Sequence, residues 1–296
     1  MPNWNDVLKE ISKEASTGPI DKIRRRYMMN LYRYTGRNVI AYYSGWLHRD
    51  PRIPNLGIGD EDKNSFMTAI HKLDRTKGLD LILHTPGGNI AATESLVSYL
   101  RSMFGNDIRA VIPQLAMSAG TMISCSCKEI IMGLQSDLGP IDPQVNGMSA
   151  PAVLAEFQQA IFEVTSNPAC VPVWQAVIGK YHPTFLGDCG HAIKWSKDMV
   201  EEWLKTGMFS NDPNKDTIVP NIVSEISDHA ITKSHSRHLS AETCKKIGLK
   251  IVLLEDDPKL QDLVLTIHHA YMHTFSQTTA NKIVENHKGS AVILMG

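Results

Sequence analysis

Apolar residues recur along the chain in two periods, and the two alternate. Trp4, Val7, Leu8 and Ile11 fall at helical spacing near the start, and a second helical stretch runs from about Ile23 to Tyr34. Four short runs rich in β-branched and aliphatic residues come next: NVIAYYSG (38–45), LDLILHT (79–85), IRAVIP (108–113) and EIIMG (129–133). Each reads as a buried strand. Between them Phe66, Ile70 and Leu73, then Leu96, Leu100 and Met103, keep helical spacing. Such alternation predicts an α/β fold with parallel strands and crossover helices. From about Ala152 to Leu204 the pattern is mainly helical, with breaks at Pro168, Pro172 and Pro183. KIVLLED (250–256) reads as a late strand, and a helix from about Lys259 to Asn286 closes the chain. NDPNKDT (211–217) is linker-like, and no internal repeat stands out. The expectation is a helical N-terminal arm over residues 1–35, one domain over 36–290, and a helical C-terminal part.

Composition narrows the function classes without changing that picture. With 296 residues, 43% hydrophobic and 21% charged, the chain has the make-up of an ordinary globular protein. Thirty basic against thirty-one acidic side chains leave a net charge of -1, which argues against a nucleic-acid partner. Arg24, Arg25 and Arg26 read as a solvated helix face. The opening MPNWNDVLKEISKEASTGP is charged and amphipathic, without the apolar stretch of a secretory signal, so a cytoplasmic protein is expected. Ala110 to Cys127 carries no charge and approaches spanning length, but Pro113, Gln114, Ser118, Gly120 and Thr121 punctuate it. It reads as core, so no transmembrane segment is expected; peripheral contact with a membrane stays compatible. The five cysteines lack paired C-x-x-C spacing and read as reduced thiols. His269 and His273 stand four apart on a helix, but the glutamate of a zinc-protease helix is missing, so neither metal nor cofactor is expected.

Two places match the rule that α/β proteins bind and react at the carboxyl ends of parallel strands. In LDLILHTPGGNIAATESL the strand runs into Thr85-Pro86-Gly87-Gly88 and then a helix. Consecutive glycines allow close backbone approach, and the amides opening the next helix are free to receive an anion. In IPQLAMSAGTMISC (112–125) a lone serine, Ser118, stands between strand and helix. A serine there is ordinarily an N-cap. Against that, Ala119 and Gly120 leave room over the hydroxyl, as at other strand-turn-helix nucleophile sites. One helix and one strand separate Gly88 from Ser118, and that unit returns both strand ends to the same edge of a parallel sheet. The amides of Gly88 and Ala119 then flank a carbon attacked by Ser118, as an oxyanion hole.

An aliphatic strand ending in PGG, a helix, a second strand and then Met-Ser-Ala-Gly resembles the Clp protease and signal peptide peptidase group on the crotonase-like fold. TGRNVIAYYSGWL, GLDLILHTPGG, IPQLAMSAGTMISCSCKEIIMG and SDLGPIDPQ resemble more closely the serine dehydrogenase proteinase family, with weaker likeness through to IVENHKG. The resemblance implies a Clp-protease/crotonase-like fold and an ATP-independent serine peptidase with peptide or protein substrates. It also implies a homo-oligomer. Ser118 carries over as nucleophile, and Gly88 and Ala119 as oxyanion donors, with Gly87 and Asp142 as substrate-binding candidates.

The general base departs from the pattern. Where the Clp type has its histidine this chain has Pro143, and no histidine occurs between Ser118 and His182. The signal peptide peptidase type uses a later lysine, often in a Gly-x-x-Lys stretch. Ile178-Gly179-Lys180-Tyr181-His182 is the nearest likeness, leaving Lys180, if burial lowers its pKa, or His182 as base. His84 is expected to fix its loop by hydrogen bonds, and Asp142 to stabilise a turn or orient a base. For His235 and His238 nothing local decides between partner and substrate. Two alternatives to a peptidase stand beside it: an acyl-coenzyme A-binding enzyme using the same two-amide hole, and a non-catalytic assembly subunit.

Overall fold

The computed structural model describes residues 4–14, 18–228 and 234–296. Two helices, α1 (Trp4–Lys13) and α2 (Pro19–Thr35), precede β1 (Asn38–Ser44). Then come α3 (Glu61–Ile70), β2 (Leu79–His84), α4 (Ile90–Phe104), β3 (Ile108–Ile112), the short β4 (Leu115–Ala116), α5 (Ala119–Cys125) and β5 (Glu129–Met132). Two-residue strands β6 (Asp137–Leu138), β7 (Gln144–Val145) and β8 (Met148–Ser149) lead into helices α6 (Ala150–Ser166), α7 (Val171–Ile178), α8 (Phe185–Thr206) and α9 (Lys215–Ser227). The chain continues through β9 (Leu239–Ser240), α10 (Ala241–Ile247), β10 (Ile251–Leu253), α11 (Pro258–Gln277), β11 (Ala280–Asn286) and β12 (Ala291–Met295).

Seven strands form the main sheet in the order β10-β5-β3-β2-β1-β11-β12. Every pairing from β10 to β1 is parallel, while β11 joins β1, and β12 joins β11, in antiparallel sense. The period of two along β1 sorts its side chains between two cores. Ile40 and Tyr42 pack with the layer of α3, α4, α5, α8 and α9; Val39, Ala41 and Tyr43 pack with α2 and α11. The parallel strands are buried on both faces, which is why they read as continuous apolar runs.

Three expectations change. The closing helix stops at Gln277, and residues 280–295 are two strands. Lys282, Glu285 and Asn286 interrupt the apolar pattern of β11, yet all three are buried, so the sequence hides a strand whose polar groups are paired inside. Arg24 is not on a solvated face: it is fully buried, with its Nε 2.5 Å from Glu285 Oε2, while Arg25 and Arg26 are part-exposed. The stretch 211–217 is a tight turn opening α9. The N-terminal helices lie against the body, with α2 beside α11 and the His273 ring 4.0 Å from that of Trp4.

Candidate active site

The turns after β2 and β3 are locked together before either reaches the site. Thr85 N–H donates to Leu115 O at 3.1 Å and Met117 N–H to Thr85 O at 3.0 Å. This cross-tie brings Gly87 onto Ser118. A Cβ at Gly87 would sit 2.7 Å from Ser118 Cβ, 2.9 Å from Met117 O and 3.1 Å from Ala119 N, and its φ of +104° also favours glycine.

Ser118 stands at the head of α5 with φ 51° and ψ -113°, a conformation that non-glycine residues rarely adopt. Its side chain makes no capping hydrogen bond, so the hydroxyl does not serve the helix. A residue held this way costs about 1–3 kcal/mol and persists only where its surroundings over-determine it, as at nucleophile turns. Ala119 is the first residue of α5, and its N–H lies among the helix donors that have no partner within the helix. Gly88 forms a one-residue parallel bridge with Ile58: Ile58 N–H donates to Gly87 O at 2.7 Å, and Asn89 N–H to Ile58 O at 2.9 Å. Those two bonds straddle Gly88, so its own N–H faces away from Ile58, on the side where Gly88 lines a cleft.

That cleft, about 470 Å³, is walled by Gly88, Ser118, Ala119 and His235, with Ile90, Met122, Ile141 and Trp195 supplying apolar surface. His235 Nδ1 lies 3.0 Å from Asp142 Oδ1, and the Asp142 side chain is fully buried. Asp142 follows β6, and His235 precedes β9, the strand that pairs antiparallel with it: Asp137 faces Ser240 and Leu138 faces Leu239. Thr121 of α5 fastens the approach, accepting from Gly139 N–H at 2.9 Å, and Ile141 N–H donates to Ile226 O at 2.9 Å.

Lys180 and His182 do not line this cleft. Both are exposed beyond the end of α7, a helix that packs on α6 and the turn between them, and neither is among the residues that line the cleft. His84 also differs from expectation: it is fully buried and neither ring nitrogen has a hydrogen-bond partner among the described residues. Its ring packs 4.3 Å from Trp46 and 5.2 Å from His268. Burial, and then the neighbouring His268 and His48, hold its pKa well below the ordinary histidine value. His238 Nδ1 sits 3.5 Å from Asp137 Oδ2, whose pKa is raised by burial against the opposing pull of His238. No grouping of His, Cys, Asp and Glu suited to a metal ion occurs among the described residues. Nor is any described helix long and apolar enough to cross a membrane.

Two uncharacterized proteins of Methanocaldococcus jannaschii are similar to the chain. One is 35% identical over 153 residues, 52% of this chain and 47% of that protein. The other is 32% identical over 234 residues, 77% of this chain and 71% of that protein. The chain thus spans about half the length of the first and rather more of the second. A family model described as ClpP-like SDH-type serine proteinase matches residues 11–171, more than half of the chain, and takes in Gly88, Ser118, Ala119 and Asp142. The chain belongs to the ClpP-like SDH-type serine proteinase family.

Proposed function

We propose that the protein is a serine peptidase in which Ser118 is the nucleophile, His235 the general base, Asp142 its orienting carboxylate, and the Gly88 and Ala119 amides the oxyanion hole. The observation that carries this reading is one cleft walled by Ser118 and by a histidine whose Nδ1 is held on a buried aspartate. With Nδ1–H donating to Asp142, the neutral ring keeps Nε2 as its acceptor. Nε2 takes the Ser118 proton as Oγ attacks the peptide carbonyl, and the two amides receive the charge on oxygen. Collapse expels the amine, which takes the proton from His235, and a water activated by the same nitrogen releases the acyl group.

The apolar surface of Ile90, Met122, Ile141 and Trp195 beside Ser118 favours peptides with an apolar side chain next to the scissile carbonyl. Exposed Ile161 and Phe162 on α6 and Val173 on α7 favour a homo-oligomer, which light scattering at micromolar concentration tests.

Four variants decide the base. His235→Gln should lower peptide turnover by about the millionfold typical of losing a triad histidine, and Asp142→Asn by roughly ten-thousandfold. Lys180→Met and His182→Gln should keep wild-type turnover. The reverse pattern would move the base to the end of α7 and overturn the assignment.

A further inference from the structure

Lys282 carries a buried charge outside the cleft. It lies on β11 with 1% of its surface exposed, and its ammonium uses all three donors: to Gly57 O at 2.7 Å, Asp62 Oδ2 at 2.9 Å and Glu61 Oε1 at 3.1 Å. Asp62 is fully buried and also accepts from Gly59 N–H at 2.9 Å and Tyr42 OH at 3.0 Å. A bulge in β11 aims the lysine. The pairing passes from Ala280↔Met295 to Lys282↔Leu294, an extra residue on β11. Ala280 therefore packs with the layer of α2 and α11, while Lys282 reaches the α3 side.

These contacts converge on the backbone of residues 57–59, whose middle member is Ile58. Ile58 is the residue that straddles Gly88 with its two bridge hydrogen bonds. The fit is close on both sides: a Cβ at Gly57 would lie 2.9 Å from Gly87 O, and one at Gly88 2.2 Å from Ile58 N. A buried ion pair adds little net stability over an apolar pair of the same volume, so its contribution here is placement. Burial works against the charged form of Asp62, raising its pKa above the ordinary carboxylate value, with Lys282 opposing that shift.

We propose that Lys282, together with Asp62, is a positioning residue for the oxyanion hole: it holds residues 57–59 so that Ile58 keeps the Gly88 amide turned toward the oxygen developing beside Ser118. The inference rests on the peptidase reading given above. Two readouts separate it from that reading: the rate of Ser118 acylation by a fluorophosphonate, resolved into maximal rate and half-saturating concentration, and hydrogen exchange of the peptide containing Asn89. Lys282→Met should slow the maximal acylation rate by about ten- to a hundredfold, short of the loss of a whole oxyanion donor, with half-saturation unchanged and Asn89 exchanging faster. The double variant Lys282→Met/Asp62→Leu removes both buried charges and also the acceptor of Tyr42 OH and Gly59 N–H, so it should melt below the wild type; assayed at a temperature where it is fully folded it should still acylate slowly with half-saturation unchanged, a split that a merely structural pair would not produce. Wild-type acylation in the double variant overturns the inference, as does unchanged Asn89 exchange in Lys282→Met. If wild-type protein is not labelled at Ser118, the peptidase reading fails, and the exchange measurement still decides whether Lys282 holds the bridge.

Discussion

Replacing Gly88 with alanine adds one methyl group, and the structure says what that methyl meets. Its Cβ would lie 2.2 Å from Ile58 N, 2.3 Å from Ile58 O and 2.6 Å from Ile58 Cα. All three are backbone atoms, so no side chain can turn aside. The bridge must open by about 1 Å, and a displacement of that size in a positioned catalytic group costs on the order of a hundredfold in rate. Outright loss of an oxyanion donor costs about a hundred- to a thousandfold, or roughly 2.7–4 kcal/mol of transition-state stabilisation. The effect on folding is smaller. Two hydrogen bonds, Ile58 to Gly87 and Asn89 to Ile58, are lost or lengthened, at about 1 kcal/mol each. For a chain this long that lowers the melting temperature by roughly 3 °C. Fluorophosphonate acylation at 20 °C, where the variant stays folded, should therefore fall at least a hundredfold while melting shifts by a few degrees. Gly187→Ala on α8 is the control, because a Cβ there meets nothing within 4 Å. Helix propensity favours the alanine by up to about 1 kcal/mol, so the control should label at the wild-type rate and melt no lower. Gly88→Ala labelling as fast as Gly187→Ala would refute the assignment of the Gly88 amide to the oxyanion hole.

Acid should destabilise the protein through its buried imidazoles. Burial, and then His269 and His48, push the His268 pKa down to about 3, and His84 is held well below its ordinary value. Unfolded histidines titrate near 6.5, so below that pH the unfolded chain binds protons that the folded one refuses. Stability is full above about pH 6.5 and falls as pH drops toward the folded value, by up to about 1.4 kcal/mol per pH unit for each group. Melting measured from pH 7 to 4.5 should fall steeply, and His268→Phe should lessen the slope; an unchanged slope in that variant contradicts the burial argument. Trp195→Ala should widen the cleft at its apolar wall and shift preference in a peptide library toward bulkier residues beside the scissile carbonyl. Identical preferences in wild type and variant would remove Trp195 from substrate recognition.

The parts of the candidate site carried by local chain geometry are readable from the sequence. Gly88, Ser118 and Ala119 each sit where a strand turns into a helix, and a parallel β-helix-β unit returns such turns to one edge. His235 carries no such local sign. It lies a few residues before β9, which pairs with the β6 strand just ahead of Asp142; these two-residue strands stand 101 positions apart, from Leu138 to Leu239, and are too short to leave a periodic signal. The pairing of Asp137 with Ser240 brings the two segments together, and nothing in the local sequence announces that pairing. Lys180 and His182 stand in a stretch that resembles a family motif, a cue that carries no distance in space, and neither lines the cleft. In β11, Lys282, Glu285 and Asn286 broke the apolar alternation, and the same buried polarity that concealed the strand supplies the clamp on Ile58 and the pair with Arg24.

The most direct test of the account is the site of covalent modification by a fluorophosphonate, read by mass spectrometry after tryptic digestion. Cleavage after Arg109 and Lys128 yields a peptide from Ala110 to Lys128 that holds Ser118, Ser124 and Ser126 together, so fragmentation must place the adduct. The account predicts one adduct, on Ser118, absent in Ser118→Ala and formed far more slowly in His235→Gln. An adduct on another residue, or none on folded wild-type protein, would contradict it.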